Sequence, residues 1–173
     1  KVLRDQVTEV DPIKLQVKTR AGKVMQADKL IISPGIDFDY TAVEGLDKKA
    51  RKRILHAWES GPQTLALKYQ IRAMQDGDVF IISIPKSPYR CPPGPYERAC
   101  QIGNFFKSEK PRSKILILDS NPDVQSKKSF FTAAWTDLYK KQIEYIPNME
   151  INEVDLSTRT LISEFGDKIK GDV

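Results

Sequence analysis

The chain has 173 residues, 40% hydrophobic and 29% charged, with 28 basic against 23 acidic side chains for a net charge of +5. That supports one or two small domains with real cores, and no apolar run approaches the roughly twenty residues of a membrane span. Two cysteines, Cys91 and Cys100, are too few for a disulfide framework and match no zinc spacing, and a single histidine argues against an imidazole-built metal cluster.

The chain opens on Lys1-Val2-Leu3-Arg4, with no initiating Met and no signal-peptide core, as though already inside an element. It closes on Lys168-Ile169-Lys170-Gly171-Asp172-Val173, which reads as a strand cut off at its start. The expectation is a fragment or processed piece, with partners of its key residues missing. Alternation of apolar and polar residues predicts strands over Gln6 to Val10, Lys14 to Thr19 and Lys23 to Gln26, with turns at Asp11-Pro12 and Ala21-Gly22. Asp28 to Gly35 differs in kind. Its continuous Leu30-Ile31-Ile32 core predicts a strand buried on both faces, ending at Ser33-Pro34-Gly35, where glycine lets a backbone approach a ligand closely.

Residues 37 to 61 are mixed. The basic run Lys48-Lys49 and Arg51-Lys52-Arg53 reads first as a solvated helix face, then as a docking surface for an acidic protein. Nucleic-acid binding is not expected, because neither stacking aromatics nor a recognisable module accompanies the charge. Gly61-Pro62 starts a helical pattern with Leu65, Leu67, Ile71 and Met74 as its apolar face, and Asp76-Gly77-Asp78 ends it. A domain boundary is expected near residue 76. Beyond it come a strand over Val79 to Ile84, a helix over about Tyr96 to Ser108, a strand over Lys114 to Asp119, and a helix over about Ser129 to Tyr139. A strand over Ile143 to Ile146 follows, then a hairpin of Ile151 to Val154 with Thr160 to Ser163. This order predicts an α/β fold: a parallel sheet with crossover helices, like half of a nucleotide-binding domain. The first strand-to-helix junction reads Ser83-Ile84-Pro85-Lys86-Ser87-Pro88, however, with no G-x-G-x-x-G and with prolines that withhold amide donors. Asp119 stands where a ribose-binding carboxylate would end the second strand.

Cys91 carries the candidate chemistry. It lies in Arg90-Cys91-Pro92-Pro93-Gly94-Pro95-Tyr96-Glu97, between a buried strand and a helix, at the carboxyl end of the predicted parallel sheet. Two readings stand side by side: a buried small hydrophobe capping the sheet, or a thiol activated by the helix N-terminus, Arg90 and Arg98, its loop stiffened by three prolines. Glu97 is either a solvated first-turn carboxylate or a general base toward a thiol or hydrosulfide. Cys100, on the same helix face as Glu97, reads as a core cysteine. His56, Trp58, Phe105, Phe106, Phe130, Phe131 and Trp135 read as packing residues.

The run Cys91-Pro92-Pro93-Gly94-Pro95-Tyr96-Glu97-Arg98-Ala99 resembles the signature of the flavoprotein subunit of flavocytochrome c sulfide dehydrogenase. Ile32 to Asp37, His56-Ala57-Trp58, Ile117 to Ser120 and Glu164 to Asp167 agree with it, so the likeness spans essentially the whole chain. The resemblance implies a nucleotide-binding-like central domain from residue 77 to 173 plus a partial β-rich segment of a FAD-binding domain over residues 1 to 40, with 41 to 76 as linker and helix. It implies FAD as cofactor, with Ser33, Pro34 and Gly35 lying against the dinucleotide. Cys91 would match one half of a redox disulfide beside the flavin, and Glu97 an acid–base carboxylate. Electrons from inorganic sulfide would pass to a cytochrome c subunit or a soluble cytochrome, without NAD, in a periplasmic setting. A quinone-reducing relative and a non-catalytic carrier or interaction module in sulfur oxidation are the alternatives. The FAD glycine loop and the second redox cysteine lie outside this sequence, so the 173 residues alone are not expected to hold FAD or turn over. Cys100 stands where the family leads one to expect a small residue such as serine.

Overall fold

The computed structural model describes residues 2–173, which divide into two compact units, one ending at Phe38 and one over Asp39–Val173. In the first, β1 (Val7–Asp11), β2 (Gln16–Thr19) and β3 (Val24–Gln26) form an antiparallel meander. Asp11 shapes its first turn, accepting hydrogen bonds from the N–H groups of Ile13 and Lys14. Residues 28–35 do not form the expected strand: Ile31 is 89% exposed, and the segment is irregular. A continuous apolar run becomes an inner strand only where neighbours pair with it on both sides. Among the described residues, none does so.

The second unit is α/β. Its centre is a parallel sheet of β4 (Val79–Ile84), β5 (Lys114–Asp119) and β6 (Ile143–Ile146), in that order, with Ile82 opposite Ile117 and Ile117 opposite Tyr145. These runs are continuously apolar, and the middle strand buries Ile115, Ile117 and Leu118 completely. Helix α2 (Gly94–Glu109) covers all three strands with Tyr96, Ala99, Ile102 and Phe106, spaced at three and four residues as one helical face requires. Gly103 on that face lets Tyr139 and Ile143 approach to 3.2 Å of where a Cβ would stand. Helix α3 (Lys128–Asp137) adds Phe131 and Trp135 to the core. Phe130, expected there too, is 75% exposed because it is one position round the helix from Phe131.

Helix α1 (Pro62–Ala73) begins with proline in its first turn, where a missing N–H costs nothing. It buries Leu67 and sends Met74 into the core, but Leu65, predicted on the same face, is 54% exposed. Lys110 caps its end, donating to the carbonyls of Arg72 and Met74. The basic run before it sits on a short 3-10 turn (Ala50–Lys52), not on a helix. Asp47 caps that turn through the N–H groups of Lys49 and Ala50, and Arg51 lies over the Tyr40 ring at 4.2 Å.

After β6 come β7 (Ile151–Asp155), β8 (Thr160–Ser163) and β9 (Lys168–Lys170), a three-stranded antiparallel sheet rather than a two-stranded hairpin. Glu44 pairs beside β7, its N–H donating to Asn152 and its carbonyl accepting from Val154. The chain then reaches the free edge of β4. The Val79 carbonyl accepts from Asp172 and Val173, and the Ile81 N–H donates to the Val173 carbonyl at 2.8 Å, the alternation of a parallel ladder.

Candidate functional site

Loop 85–93 leaves β4 at the carboxyl end of the parallel sheet, and a polar network ties it to the end of β5. Asn121 donates through Nδ2 to the Pro85 carbonyl at 3.0 Å and accepts the Ser87 N–H through Oδ1 at 2.9 Å. Asp119 in turn holds Asn121: its Oδ1 accepts from the Asn121 backbone at 2.9 Å and from Nδ2 at 2.7 Å. The other oxygen accepts the hydroxyls of Tyr96 at 2.6 Å and Tyr145 at 3.0 Å. Asp119 is fully buried with four donors around it, so it stands as a structural anchor rather than an open ribose ligand. Burial and the Asp119 carboxylate together push both tyrosine hydroxyls far above the ordinary phenol value.

Cys91 is exposed, which removes the reading of a buried hydrophobe. It adopts φ +59°, a left-handed conformation that a side chain with a Cβ takes only when its surroundings hold it there. Its carbonyl accepts the Gly94 N–H at 2.9 Å, closing the turn that opens α2. The sulfur lies 3.3 Å from the point a Cβ on Gly94 would occupy, and that point is also 2.9 Å from Cη2 of Trp58. The cysteine, the first helical residue and the indole therefore meet at one spot.

Arg98 does not turn to the sulfur as a counter-ion. Its guanidinium donates to the carbonyls of His56 and, at 3.0 Å, Ala57, and stacks on the Trp58 ring at 3.8 Å. Burial pulls its pKa below the usual guanidinium value. His56 accepts the Trp58 backbone N–H at Nδ1, 3.0 Å, while its Nε2 meets the Tyr40 hydroxyl at 2.9 Å and the Gln63 side-chain amide nitrogen at 3.3 Å. Gln63 steadies the same turn, accepting the Ala57 N–H at 2.9 Å. Burial lowers the His56 pKa, Glu59 raises it, and Arg98 lowers it further. His56 and Trp58, expected as packing residues, are instead part of a hydrogen-bonded turn and an indole that stays 45% exposed beside the cysteine loop. The sequence carried no signal for this: Trp58 and Arg98 lie forty positions apart, and only Gly94, a helix residue without a side chain, hints at a close neighbour.

Glu97 is exposed on the first turn of α2. Its charge is felt at Cys100, one turn further on: burial pushes the Cys100 thiol up, the Trp135 indole N–H opposes this, and Glu97 adds to the rise. Cys100 is half-buried against the core. In the first unit, Ser33, Pro34 and Gly35 are exposed; Gly35 has φ +83°, with open space where a Cβ would be. Glycine in this conformation leaves the backbone open to close approach. A cleft of about 360 Å³ lies against β4, walled by Leu67, Met74, Phe80, Val154, Leu161 and Val173. None of the Cys91 loop lines it. No helix among the described residues is long and apolar enough to cross a membrane.

Comparison with known proteins follows the same lines. The mitochondrial sulfide:quinone oxidoreductase of Dictyostelium discoideum is 23% identical over 118 residues, covering 66% of this chain and 25% of that protein. The chain thus spans about a quarter of that relative. The solved sulfide:quinone oxidoreductase of Aquifex aeolicus matches 96% of the chain and 39% of its own at 17% identity, with a TM-score of 0.65. The water-forming NADH oxidase of Lactobacillus brevis, solved bound to NADH, matches 97% and 35% at 13% identity and a TM-score of 0.64. At such identities these structures show a shared fold. A family model described as the central part of the sulfide dehydrogenase (flavocytochrome c) flavoprotein chain matches residues 64–173, which take in the whole parallel sheet and the Cys91 loop. The chain belongs to that family of flavocytochrome c sulfide dehydrogenase flavoproteins.

Proposed function

We propose that the full-length protein binds FAD and oxidises inorganic sulfide, with Cys91 as one half of a redox disulfide. The observation carrying this is that Cys91 is exposed and held in a strained left-handed turn at the start of α2 in a chain of this family. The second sulfur comes from outside these residues, since Cys100 is half-buried on the core side of α2. Hydrosulfide attacking such a disulfide forms one sulfur–sulfur bond as another breaks, releasing a thiolate, and Glu97 is the base for the hydrosulfide proton. FAD, when bound, supplies a two-electron acceptor that can pass electrons on singly. Ser33, Pro34 and Gly35 lie against it. Residues 1 to 40 are the end of a first FAD-binding segment, and 77 to 173 the central domain, joined by 41 to 76.

The acceptor in this reading is a cytochrome c, as a subunit or a soluble partner, in the periplasm. The names of the Dictyostelium and Aquifex relatives favour a second reading, with a quinone as acceptor. Flavin reduction by sulfide in the full-length protein, followed by absorbance with and without Cys91→Ser, tests the assignment. Loss of reduction in the variant is expected, and undiminished reduction removes Cys91 from the chemistry. Reoxidation by cytochrome c or by a soluble quinone then separates the two acceptors.

A further inference from the structure

We infer that Trp58, clamped by Arg98, is a positioning residue for Cys91: the indole forms the wall against which the sulfur is set. Its meaning for turnover rests on the reading of Cys91 as a redox sulfur. Three observations carry it. First, Gly94 sits inside the first turn of α2, where alanine would be favoured by helix propensity. A Cβ there would come 2.9 Å from Cη2 and 3.1 Å from Cζ3 of Trp58, and 3.3 Å from the Cys91 sulfur. The absent side chain leaves room that the indole edge and the sulfur share.

Second, the indole is fixed from behind. Arg98 stacks on it at 3.8 Å and spends its guanidinium on the two carbonyls just ahead of it, those of His56 and Ala57. Ala57 itself is held at φ +49°, and the Trp58 N–H is taken by His56. Because Arg98 belongs to the same helix that begins at Gly94, helix, indole and cysteine turn form a closed mechanical loop. Third, Trp58 leaves almost half its surface in water. A tryptophan kept only for packing would bury more of its ring. An aromatic wall suits a soft, polarisable sulfur, and it blocks the inner side of Cys91 so that the sulfur faces outward.

The test reads thiol access and needs neither flavin nor sulfide, so its failure is distinct from failure of the redox assignment. Iodoacetamide labelling of the 173-residue chain is followed by mass spectrometry. Trypsin puts Cys91 in the peptide Cys91–Arg98 and Cys100 in Ala99–Lys107, so each thiol is timed separately. Trp58→Ala is expected to speed labelling of Cys91 about tenfold, by freeing its inner side and its turn, while Cys100 stays within about twofold. Gly94→Ala, which suits the helix and drives a methyl between indole and sulfur, is expected to speed Cys91 several-fold with Cys100 again unchanged. Should Trp58→Ala unfold the chain, both thiols rise together, and Gly94→Ala decides. Cys91 rates within about twofold of the parent in the folded variants, or a parallel rise of both thiols in Gly94→Ala, overturn the inference.

Discussion

At the scale of single residues, the carboxylate that ends β5 shows what a buried charge requires. Both Asp119 oxygens are occupied, one by the Asn121 backbone and amide, the other by the Tyr96 and Tyr145 hydroxyls. Tyr96 is fully buried, and its oxygen also accepts the Gln125 N–H. Removing its hydroxyl strands a charged acceptor and a backbone donor together. Tyr96→Phe is therefore expected to lower unfolding stability by about 2–3 kcal/mol, and Tyr145→Phe, in a partly buried hydrogen bond, by about 1 kcal/mol. Urea unfolding of the two variants checks the order. Equal losses would mean that water, not Tyr96, serves Asp119.

Among the elements, the least obvious join is the one between residues 44–45 and β7. Gly45 has φ +79°, and a Cβ there would meet the Val154 carbonyl oxygen at 2.2 Å. Gly166, in the turn before β9, has a similar φ of +85° with nothing within 4 Å. Both positions charge an alanine the left-handed penalty of about 1–2 kcal/mol, but only Gly45 adds a collision with backbone that is itself hydrogen-bonded. Gly45→Ala should lower the thermal midpoint clearly more than Gly166→Ala; matching midpoints would show that Glu44 does not pair with β7. This join also marks the limit of what the sequence could tell. Strands β4, β5 and β6 were legible to the residue, because an apolar run bounded by Gly, Pro or Asp has one outcome when the same unit supplies its neighbours. Leu30-Ile31-Ile32 has the same composition and no such neighbours, so local pattern misread it. In the site, prolines around Cys91 announced a stiff loop. The clamp of Arg98 on residues 56–58 depends on contacts across forty positions, which no periodicity records.

For the whole molecule, the relevant facts are the two units and the stretch between β3 and the second unit. Residues 28–36 carry no strand or helix, and Ile31, Ile32 and Ile36 are all exposed. Such a stretch is where a protease finds extended backbone. Thermolysin, which cuts ahead of large apolar residues, is expected to cleave first at Ile31, Ile32 or Ile36 and to leave a resistant piece running to Val173. Mass spectrometry of a short digest identifies it. First cuts inside 79–146 would contradict the compactness of the parallel sheet. The Asp119 knot has a further bearing at this scale. An acid group with both oxygens engaged has nothing left to offer a further donor. The knot works as a rivet: one side chain at the end of β5, with both oxygens engaged, fastens the whole cysteine-bearing loop to the sheet.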